Sequence, residues 1–441
     1  MFDSSDDQVT LGNLSFSCLL YADDLLLLST SPRGLQSCIN KLELFCDENG
    51  LVVNLNKTNV ITFCKSGRVS KERIVYKGME IQHVTTYKYL GIVFSSSGTF
   101  TYCQHDLYKR AIKASFKLSK VFGDLHQSVN TTLHLFDHTI KPILLYGSEI
   151  WGTVNTSSSI IKKIDYNLFN SFDNMYCEKQ HIKFLKYILG VHKKAPNEAV
   201  YGELGRYPLY IDAICNTMKY YQRLCSGEVS ELLSAAFIES KNLCDSNKVS
   251  WVTSVKHIFK HLNIAEKSFD NKTLPSVVKQ KLVNMFKSRW RSNIVCNTGK
   301  LRTFSLFKNN CCMEPYFRIL KDKELRTLFT KIRISAHKLR IETGRYQKVP
   351  ADQRFCDICQ LNLIEDEIHF SMSCRCFDDS RNNLFVKVHA VNKNFLSLTD
   401  EQKFIWLMSS EDHYIVLLFA KFLHDIYNKR SCLLKSVHDI Q

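Results

Sequence analysis

The sequence predicts an α+β protein whose strands lie in the first 100 residues or so and whose helices make up most of the rest. Short apolar runs bounded by turn residues lie near the start of the chain and are typical of strands. Beyond residue 101, apolar residues recur at helical spacing in most segments. Near residue 356, cysteines and a histidine with the spacing of metal ligands interrupt the helical pattern and predict a small metal site.

The composition is that of a globular protein with a polyanionic partner. A length of 441 residues allows two to four domains, and 45% hydrophobic residues with only 7 prolines and 16 glycines exclude a mainly disordered chain. The net charge of +16 favours nucleic acid as the partner and an anionic membrane second, while a generally basic surface is the alternative. No apolar run reaches the roughly 18 residues of a membrane span, so no membrane partner is expected.

The cysteine content bears on the cellular compartment. No secretory signal accompanies the 17 cysteines, because residues 1–8 carry acids and no basic residue. Reduced thiols are therefore expected, in an intracellular protein of the nucleus and/or the cytoplasm.

The first predicted β element is a hairpin over residues 18–29. Two apolar runs of strand length flank Tyr21-Ala22-Asp23-Asp24, which predicts a strand, a tight turn and a second strand. Adjacent carboxylates beside so many leucines are costly to desolvate without a counter-charge, and hard oxygen ligands suit Mg²⁺. The sequence therefore predicts that Asp23 and Asp24 bind Mg²⁺; an acidic hairpin tip that faces water is the alternative.

A helix and further strands are predicted after the hairpin. Ser31-Pro32-Arg33-Gly34 predicts the start of a helix whose apolar residues recur at helical spacing up to Asn49-Gly50. Residues 51–63 alternate apolar and polar side chains around Lys57 and predict a strand. Residues 87–94 predict another strand before a Ser/Gly turn.

This order of elements resembles the lower palm of reverse transcriptases from non-LTR (LINE-type) retrotransposons. The resemblance rests on the Asp-Asp hairpin, the Asn-x-x-Lys-Thr strand at residues 54–58 and the Tyr-Leu-Gly-Ile strand at residues 89–92. It extends to residues 142–152, to residues 202–209 and to the later cysteine cluster, which look like the region that these elements carry beyond the polymerase core.

The resemblance implies an RNA-directed DNA polymerase that uses Mg²⁺ and takes RNA and DNA as template and primer. By the family's pattern, Asp23 is the main metal-binding acid of its strand and Asp24 is its neighbour. Tyr21 approaches the primer end, and Lys57 protonates the leaving pyrophosphate.

The family's fingers, its first palm aspartate and its nucleotide-selecting helix lie upstream of such a hairpin, and nothing in this sequence matches them. Polymerases that use two metal ions hold them roughly 4 Å apart between carboxylates of two strands. Asp3, Asp6 and Asp7 lie on a polar leader without a strand pattern and are not expected to replace the missing strand. The chain is therefore expected to be the C-terminal part of a longer polyprotein, inactive alone, with the N-terminal part as a candidate partner.

Two predicted helices carry basic residues apart from their apolar stripe. The helix predicted over residues 102–122 fits a thumb that tracks a phosphate backbone, although a solvated helix face explains the same lysines. The helix predicted over residues 322–341 favours a nucleic-acid contact. Further helices are predicted over residues 131–151, 159–191, 211–225, 249–262, 274–290, 404–408 and 414–427. The predicted nucleic-acid contacts are Lys109, Arg110, Lys113, Lys117, Arg326, Arg333 and Arg340.

The second motif with specific chemistry is a group of candidate zinc ligands. They are Cys356, Cys359, His369 and Cys374. Their spacing, Cys-x₂-Cys-x₉-His-x₄-Cys, suits tetrahedral Zn²⁺, which would also stabilise a segment too small and polar to fold alone. A reduced dithiol or cysteines packed in a core are the alternatives, and Cys376 is an alternative to Cys374. The neighbouring acids at residues 365–367 are expected to be solvated.

The sequence thus predicts five segments. Residues 1–100 form a partial reverse transcriptase palm, 101–155 a helical thumb, 156–350 a helical connector, 351–380 the CCHC zinc-binding segment and 381–441 a C-terminal helical cap. The favoured function is a catalytically incomplete fragment of a retrotransposon reverse transcriptase. The alternatives are a non-catalytic nucleic-acid-binding protein derived from a retroelement and an interaction protein whose basic helices bind other proteins.

Overall fold

The computed structural model describes residues 7–64, 72–124, 128–153, 174–265, 273–296, 299–359 and 361–438. Paired strands lie between residues 9 and 95, and helices dominate from residue 101 onward. The predicted α+β class is confirmed. The division into palm, thumb, connector, zinc segment and cap stays a prediction.

Within the described residues, the strands pair as two-stranded ladders. The pairs β1–β2, β3–β4, β6–β7 and β9–β10 are antiparallel, and the pair β5–β8 is parallel. The strands are β1 Val9–Leu11, β2 Leu14–Phe16, β3 Cys18–Tyr21, β4 Asp24–Leu27, β5 Asn59–Ile61, β6 Val75–Tyr76, β7 Met79–Glu80, β8 Gln82–Val84, β9 Thr86–Tyr89 and β10 Ile92–Ser95.

The tight hairpins share one backbone feature, a left-handed residue at the first turn position. Ala22 has φ of 54° between β3 and β4, Lys77 has φ of 47° between β6 and β7, and Leu90 has φ of 47° between β9 and β10. Such turns match the natural twist of the strands that they join. The predicted strand, turn and strand at the acidic motif is confirmed.

The helix predicted after the hairpin is α1, Pro32–Glu48. Ser31 caps it by accepting a hydrogen bond from the Gly34 amide at 3.0 Å, and Pro32 fills the first position, where an N–H has no helical partner. A Cβ on residue 34 would lie 2.3 Å from the Cβ of Asp7, so glycine is required for this close approach. The core beneath α1 consists of Ile39, Val60, Ile74, Tyr76 and Ile81.

The prediction of one strand over residues 51–63 is wrong, because the strand in this region spans only Asn59–Ile61. The Asn54 carbonyl accepts hydrogen bonds from the amides of Lys57 and Thr58 at 3.0 and 3.1 Å, which closes a turn. Val53 and Leu55 pack against the core beneath α1 without strand pairing. Core packing therefore produces the alternating pattern there.

The helices beyond residue 101 are mostly short. They are α2 Thr101–Asp124, α3 Val129–Leu135, α4 Lys141–Leu144, α5 Ser148–Trp151, α6 Tyr176–Leu189, α7 Asn197–Leu204, α8 Leu209–Ser226, α9 Glu231–Asp245, α10 Trp251–His261, α11 Leu274–Cys296, α12 Phe304–Phe307, α13 Tyr316–Ile319, α14 Lys323–Arg333, α15 Arg340–Tyr346, α16 Asp378–Val391, α17 Asp400–Ser409 and α18 His413–His438. None of the described helices has the length and apolar character that crossing a membrane requires. Much of the helix predicted over residues 159–191 falls outside the described residues.

The helix predicted over residues 131–151 is wrong as a single element. The chain there forms α3, a π-helical stretch at Phe136–Ile140, then α4 and α5. Pro142 has no N–H to donate to the preceding turn, and proline rings crowd the carbonyl four residues back. A locally widened helix before this proline is a normal response to that crowding.

The helix predicted over residues 322–341 is also wrong as a single element, because α14 ends at Arg333 and α15 starts at Arg340. Between them, Ser335 has φ of 51°, and its hydroxyl donates a hydrogen bond to Glu367 at 2.7 Å. A contact distant in sequence therefore ends a helix whose local pattern would allow it to continue.

The chain forms two compact units, each built from separate stretches. The first comprises Met1–Lys113, Lys141–Glu178 and Leu209–Leu282, and the second Ala114–Ile140, Lys179–Pro208 and Val283–Gln441. The first unit contains the core beneath α1 and a helical cluster around Leu224, Phe237 and Val252. The second has an aromatic core in which Phe307 contacts Phe404 and Phe329 contacts Phe419, with ring centroids 6.3 and 6.2 Å apart.

Candidate functional site

The acidic hairpin presents its carboxylates to solvent. Tyr21 at the end of β3 pairs with Asp24 at the start of β4, and Asp23 lies in the turn between them. Asp23 and Asp24 are exposed, and the Tyr21 side chain is 63% exposed. The two aspartates thus face water, as in the alternative interpretation of the sequence, and their binding of Mg²⁺ stays a prediction. Their accessibility would allow a bound ion to keep several of its waters, as Mg²⁺ usually does.

The base of the hairpin is anchored within its own unit. The Leu28 amide donates to the Ser17 carbonyl at 2.7 Å, and the Thr30 amide donates to the Asp7 carbonyl at 2.9 Å. The Asp7 carboxylate accepts a hydrogen bond from the Ser31 hydroxyl at 2.8 Å. Asp7 therefore fixes the chain between β4 and α1, and this role agrees with the expectation that it is not a metal ligand.

Lys57 lies in the turn before β5, with its side chain exposed. The Tyr87 hydroxyl donates to its main-chain carbonyl at 2.9 Å and joins this turn to β9. Lys57 and the hairpin thus belong to the same unit. The catalytic roles of Asp23, Asp24, Lys57 and Tyr21 stay predictions.

In the part of the chain that the structure describes, Asp23 and Asp24 belong to no group of three or more metal-binding side chains. Among the described residues, one group of three or more histidine, cysteine, aspartate or glutamate side chains is arranged to bind a metal ion, and it lies elsewhere. Asp3 and Asp6 lie outside the described residues.

That group is the predicted cysteine–histidine centre, and it belongs to the second unit. Its members are Cys356, Cys359, His369 and Cys374, all buried. One ligand atom from each lies within 4.8 Å of the others. Tetrahedral zinc with sulfur ligands at about 2.3 Å would place those sulfurs about 3.8 Å apart, so the cluster fits such an ion closely. The metal-site geometry expected from the spacing is therefore present.

Local backbone structure brings the four ligands together. A strand-like bridge between Phe355 and Ile364, with the Cys356 amide donating to the Leu363 carbonyl at 2.8 Å, turns the chain back after the Cys-x₂-Cys pair. His369 starts a π-helical stretch that runs to Ser373, and the Cys374 amide donates to the His369 carbonyl at 2.8 Å.

The electrostatics of the cluster without a metal favour the thiolate form at Cys356 alone, because the hydrogen bond with Cys356 and burial raise the pKa of Cys374. Hydrogen bonds from Cys374 and His369 lower the pKa of Cys356, although burial opposes this effect. Burial raises the pKa of Cys359, whose sulfur lies 3.5 Å from Nε2 of His369. Thiolates are the form of cysteine that binds zinc.

The alternative ligand Cys376 lies outside the cluster. It is exposed, and its sulfur lies 3.5 Å from the Ile358 carbonyl oxygen. Cys374 is buried among the other ligand atoms. The geometry therefore favours Cys374 of the two cysteines.

The expectation that the acids at residues 365–367 are solvated is wrong for Glu365 and Glu367. Glu365 is buried and accepts two hydrogen bonds from Arg430 of α18, at 2.5 and 2.6 Å. It also accepts the Arg340 amide proton at 2.6 Å. Because an unpaired buried carboxylate is costly, this pairing with Arg430 holds the segment between ligands Cys359 and His369 against α18.

Glu367 is buried at the other side of the same segment. It accepts hydrogen bonds from Ser335 and Arg302 and contacts Nε2 of His337, at 2.7, 2.6 and 2.7 Å. Burial alone would raise the pKa of Glu367, but His337 and Arg302 lower it to about 2. Glu367 therefore stays ionised and holds the segment against the chain before α15.

Arg381 of α16 supports the last ligand. Its guanidinium donates to the main-chain carbonyls of Cys374 and Ser371, and it pairs with Asp378 at 2.7 Å. The residues around the centre that were not predicted from the sequence are Arg302, His337, Arg381 and Arg430. The signal in the sequence for these basic partners was the run of acids at residues 365–367, next to the predicted ligand His369.

The basic residues predicted to contact nucleic acid on α2 are accessible. Lys109, Lys113 and Lys117 are exposed. Arg110 is half-buried and is engaged by the protein, since it donates to the Gly91 carbonyl at 2.8 Å and pairs with Asp106 at 3.0 Å. The role of these residues in binding stays a prediction.

The prediction that Arg333 contacts nucleic acid is wrong. Its side chain is 1% exposed and pairs with Glu203 and Glu314 at 3.0 and 2.8 Å. It is thus part of the core of the second unit and has no access to a ligand in solution. Glu203, also buried, lies within residues 202–209, one of the stretches that carry the family resemblance.

Arg326 and Arg340 are only half-buried. Arg326 donates to the carbonyls of Leu320 and Lys321, at 2.9 and 3.1 Å. Arg340 lies 3.8 Å from the Asp357 carboxylate and donates to Gln347 at 2.5 Å. Their contact with nucleic acid stays a prediction.

Comparison with known proteins identifies the strand-rich part of the chain. Residues 2–94 match the family of reverse transcriptases (RNA-dependent DNA polymerases). The hairpin, α1 and the ladders up to β10 all fall within or at the edge of this match.

The relatives are proteins of transposable elements. A putative uncharacterized transposon-derived protein of Caenorhabditis elegans is 30% identical over 138 residues, 30% of this chain and 48% of the relative. The retrovirus-related Pol polyprotein from type-1 retrotransposable element R2 of Nasonia vitripennis is 29% identical over 97 residues, 20% of this chain and 10% of the relative. Its counterpart in Bradysia coprophila is 29% identical over 104 residues, 22% of this chain and 12% of the relative.

These matches thus cover less than half of each relative's length. The residues matched by the family, 2–94, contain the hairpin, the Lys57 turn, β9 and most of β10. Residues 2–94 are thus similar to reverse transcriptases, and the two R2 relatives support the non-LTR retrotransposon type.

Proposed function

We propose that this chain binds a nucleic-acid template-primer and contributes the Asp23–Asp24 half of a polymerase site, without extending a primer by itself. The observation that carries the proposal is the isolation of the two carboxylates. They lie on one exposed turn, and no third carboxylate of the described residues joins them in a metal-binding group.

The chemistry of nucleotide addition explains why this isolation matters. Two-metal polymerases need both ions roughly 4 Å apart, which demands carboxylates from more than one element. A divalent ion at such a site neutralises the charge that develops on the transferred phosphoryl group. Asp23 and Asp24 would bind one such ion weakly, Tyr21 would contact the primer end, and Lys57 would supply a proton to the leaving group.

Primer extension by the purified chain tests the proposal. With a homopolymer template, an annealed primer and Mg²⁺, we expect no extension above that of Asp23→Asn. Template-primer binding, measured in parallel without nucleotides, should be present and equal in both proteins. Robust synthesis that is lost in Asp23→Asn would show that the site is complete and would contradict the proposal.

We also propose that the cysteine–histidine centre binds Zn²⁺ in a structural role. Three cysteines and one histidine leave a tetrahedral ion no open position for substrate, which is the usual composition of structural zinc sites. The dense support from Glu365, Glu367 and Arg381 suits a centre that stabilises the fold.

Non-catalytic nucleic-acid binding is the second candidate function, favoured by the exposed lysines of α2. The two candidates share template-primer binding and differ in whether Asp23 matters. If an added upstream reverse transcriptase segment restores extension in trans, the chain is a polymerase part; continued inactivity favours the binding protein.

A further inference from the structure

A second basic surface lies in the second unit, and none of its residues is among the nucleic-acid contacts predicted from the sequence. We call it the lysine patch and define it as Lys186, Lys193, Lys194, Lys300 and Tyr346. It joins the end of α6, the loop before α7, the loop before α12 and the end of α15. No function described above uses it.

Direct contacts hold the lysine patch together. Lys186 donates to the Lys193 carbonyl at 2.8 Å, and Lys300 donates to the Lys194 carbonyl at 2.9 Å. The Lys194 ammonium lies 4.8 Å from the centroid of the Tyr346 ring. Lys186 and Lys300 therefore hold the main chain of the loop at residues 193–194 in place, while the side chains of this loop are exposed.

The positive charges of the patch are crowded, although two acids lie near its less exposed lysines, Lys186 and Lys300. Burial, followed by the charge of Lys300, lowers the pKa of His192, and burial together with neighbouring Arg345 and Lys194 lowers that of Lys300. Glu342, which opposes the lowering of the pKa of Lys300, is buried and also pairs with Arg302 and Arg345, at 2.9 and 3.3 Å, and Glu198 opposes the lowering of the pKa of Lys186. Carbonyl oxygens and an aromatic ring, the partners of Lys186 and Lys194, do not cancel a positive charge.

An aromatic ring beside these charges narrows the class of ligand. Tyr346 is 55% exposed, and Lys194 occupies only part of its surroundings. Proteins that bind single-stranded nucleic acid combine a positively charged track for the phosphates with exposed rings on which bases stack. An acidic peptide would pair with the lysine charges but has no base to stack on the Tyr346 ring.

We propose that the lysine patch binds the backbone of a single-stranded stretch of nucleic acid, with Lys193 and Lys194 at phosphates and a base stacked on Tyr346. This inference rests on the proposed binding of nucleic acid but not on the Asp23–Asp24 site. It adds a contact in the second unit that the family resemblance does not assign.

The test compares the full chain with two double charge reversals. Lys193→Glu/Lys194→Glu changes the exposed loop of the patch, and Lys387→Glu/Lys421→Glu is a matched control on exposed lysines of α16 and α18. Binding of a short single-stranded oligonucleotide is measured against salt. The patch variant should bind about tenfold more weakly or worse, with a salt slope shallower by about 1.4, since each single-strand phosphate contact contributes about 0.7. The control should stay within about twofold of wild type.

Two substitutions of Tyr346 measure the contribution of base stacking separately from that of the lysine charges. Tyr346→Ala should weaken binding by about fivefold or more without changing the salt slope, while Tyr346→Phe should bind like wild type. Thermal melting of each variant checks that it is folded.

The outcomes distinguish this inference from the proposed function. If wild type binds but the patch variant matches its control, the lysine patch inference is wrong and the proposed function stands. If wild type binds no nucleic acid at all, both are wrong. Tighter binding of a poly-glutamate peptide than of the oligonucleotide would assign the patch to an acidic protein partner and overturn the inference.

Discussion

The acidic hairpin and the cysteine–histidine centre both gather metal-binding side chains, but they do so in opposite ways. The hairpin places two carboxylates on an exposed turn, held at its base by main-chain hydrogen bonds. The centre buries four ligands and surrounds them with charged groups from α16, α18 and the chain before α15. We propose that the hairpin is one part of a larger site, whereas the four ligand atoms of the centre lie together within the described residues.

The two regions therefore differ in how much the stability of the fold depends on a bound metal. A metal bound at two exposed carboxylates can leave without disturbing a core, because little of the fold depends on it. A metal bound at a buried centre is coupled to folding, since the ligands are close together only in the folded state. Loss of either metal should therefore have different consequences, and the predictions below test this contrast from the largest effect to the smallest.

Removal of one thiolate from the centre should have the largest effect. Wild type should hold one zinc ion per chain, and Cys359→Ser should lose it, because serine is a poor replacement for a thiolate ligand. Cys376→Ser, at the exposed neighbouring cysteine, should keep the ion. Elemental analysis of the purified proteins measures both. Equal zinc in the two variants, or none in wild type, would remove the zinc site from this account.

Loss of the buried ion pair beside the centre should have a smaller effect, but should still lower the free energy of unfolding substantially. Arg430→Leu leaves Glu365 buried without its charge partner, and breaking a buried pair in this way typically costs about 3–5 kcal/mol. Lys429→Leu, on the preceding residue of α18, removes an exposed pair with Asp425 and an exposed hydrogen bond to Ser380, and should cost less than about 1 kcal/mol. Chemical denaturation of the zinc-loaded proteins gives both values. Similar costs would show that Glu365 is not paired as described.

Substitutions at the hairpin should change stability least. Asp23→Asn and Asp24→Asn alter exposed side chains and should shift the free energy of unfolding by no more than about 0.5 kcal/mol. The same denaturation experiment, without added metal, measures this. A loss of more than about 1 kcal/mol would mean that the two carboxylates serve the fold and would weaken their assignment to a polymerase site.

Sequence reasoning succeeded where a short stretch determines its own structure. The hairpin follows from apolar runs around a two-residue turn, and the ligand group follows from the Cys-x₂-Cys spacing with His369 and Cys374. In both cases the residues that matter are close together along the chain. The α+β class is also a sum of such local signals.

Sequence reasoning failed where a distant partner decides the outcome. Glu365 and Arg430 are 65 residues apart, and Glu367 and His337 are 30 apart, so nothing near either acid indicates that it is buried. Arg333 lies on a basic helix face in sequence, but Glu203, 130 residues away, draws it into the core. The sequence left the exposure of Asp23 and Asp24 as one of two alternatives, because leucine-rich neighbours also fit a buried position, which these short strands do not provide.

Hydrogen exchange with and without a zinc chelator is the most direct test of the contrast between the two regions. We predict that chelation speeds exchange across residues 354–379 and in the adjoining part of α18, which Arg430 ties to the centre. Exchange in the hairpin, Cys18–Tyr21 and Asp24–Leu27, should be unchanged, because its hydrogen bonds lie within its own unit. Equal acceleration in both regions, or no change around the centre, would contradict the account.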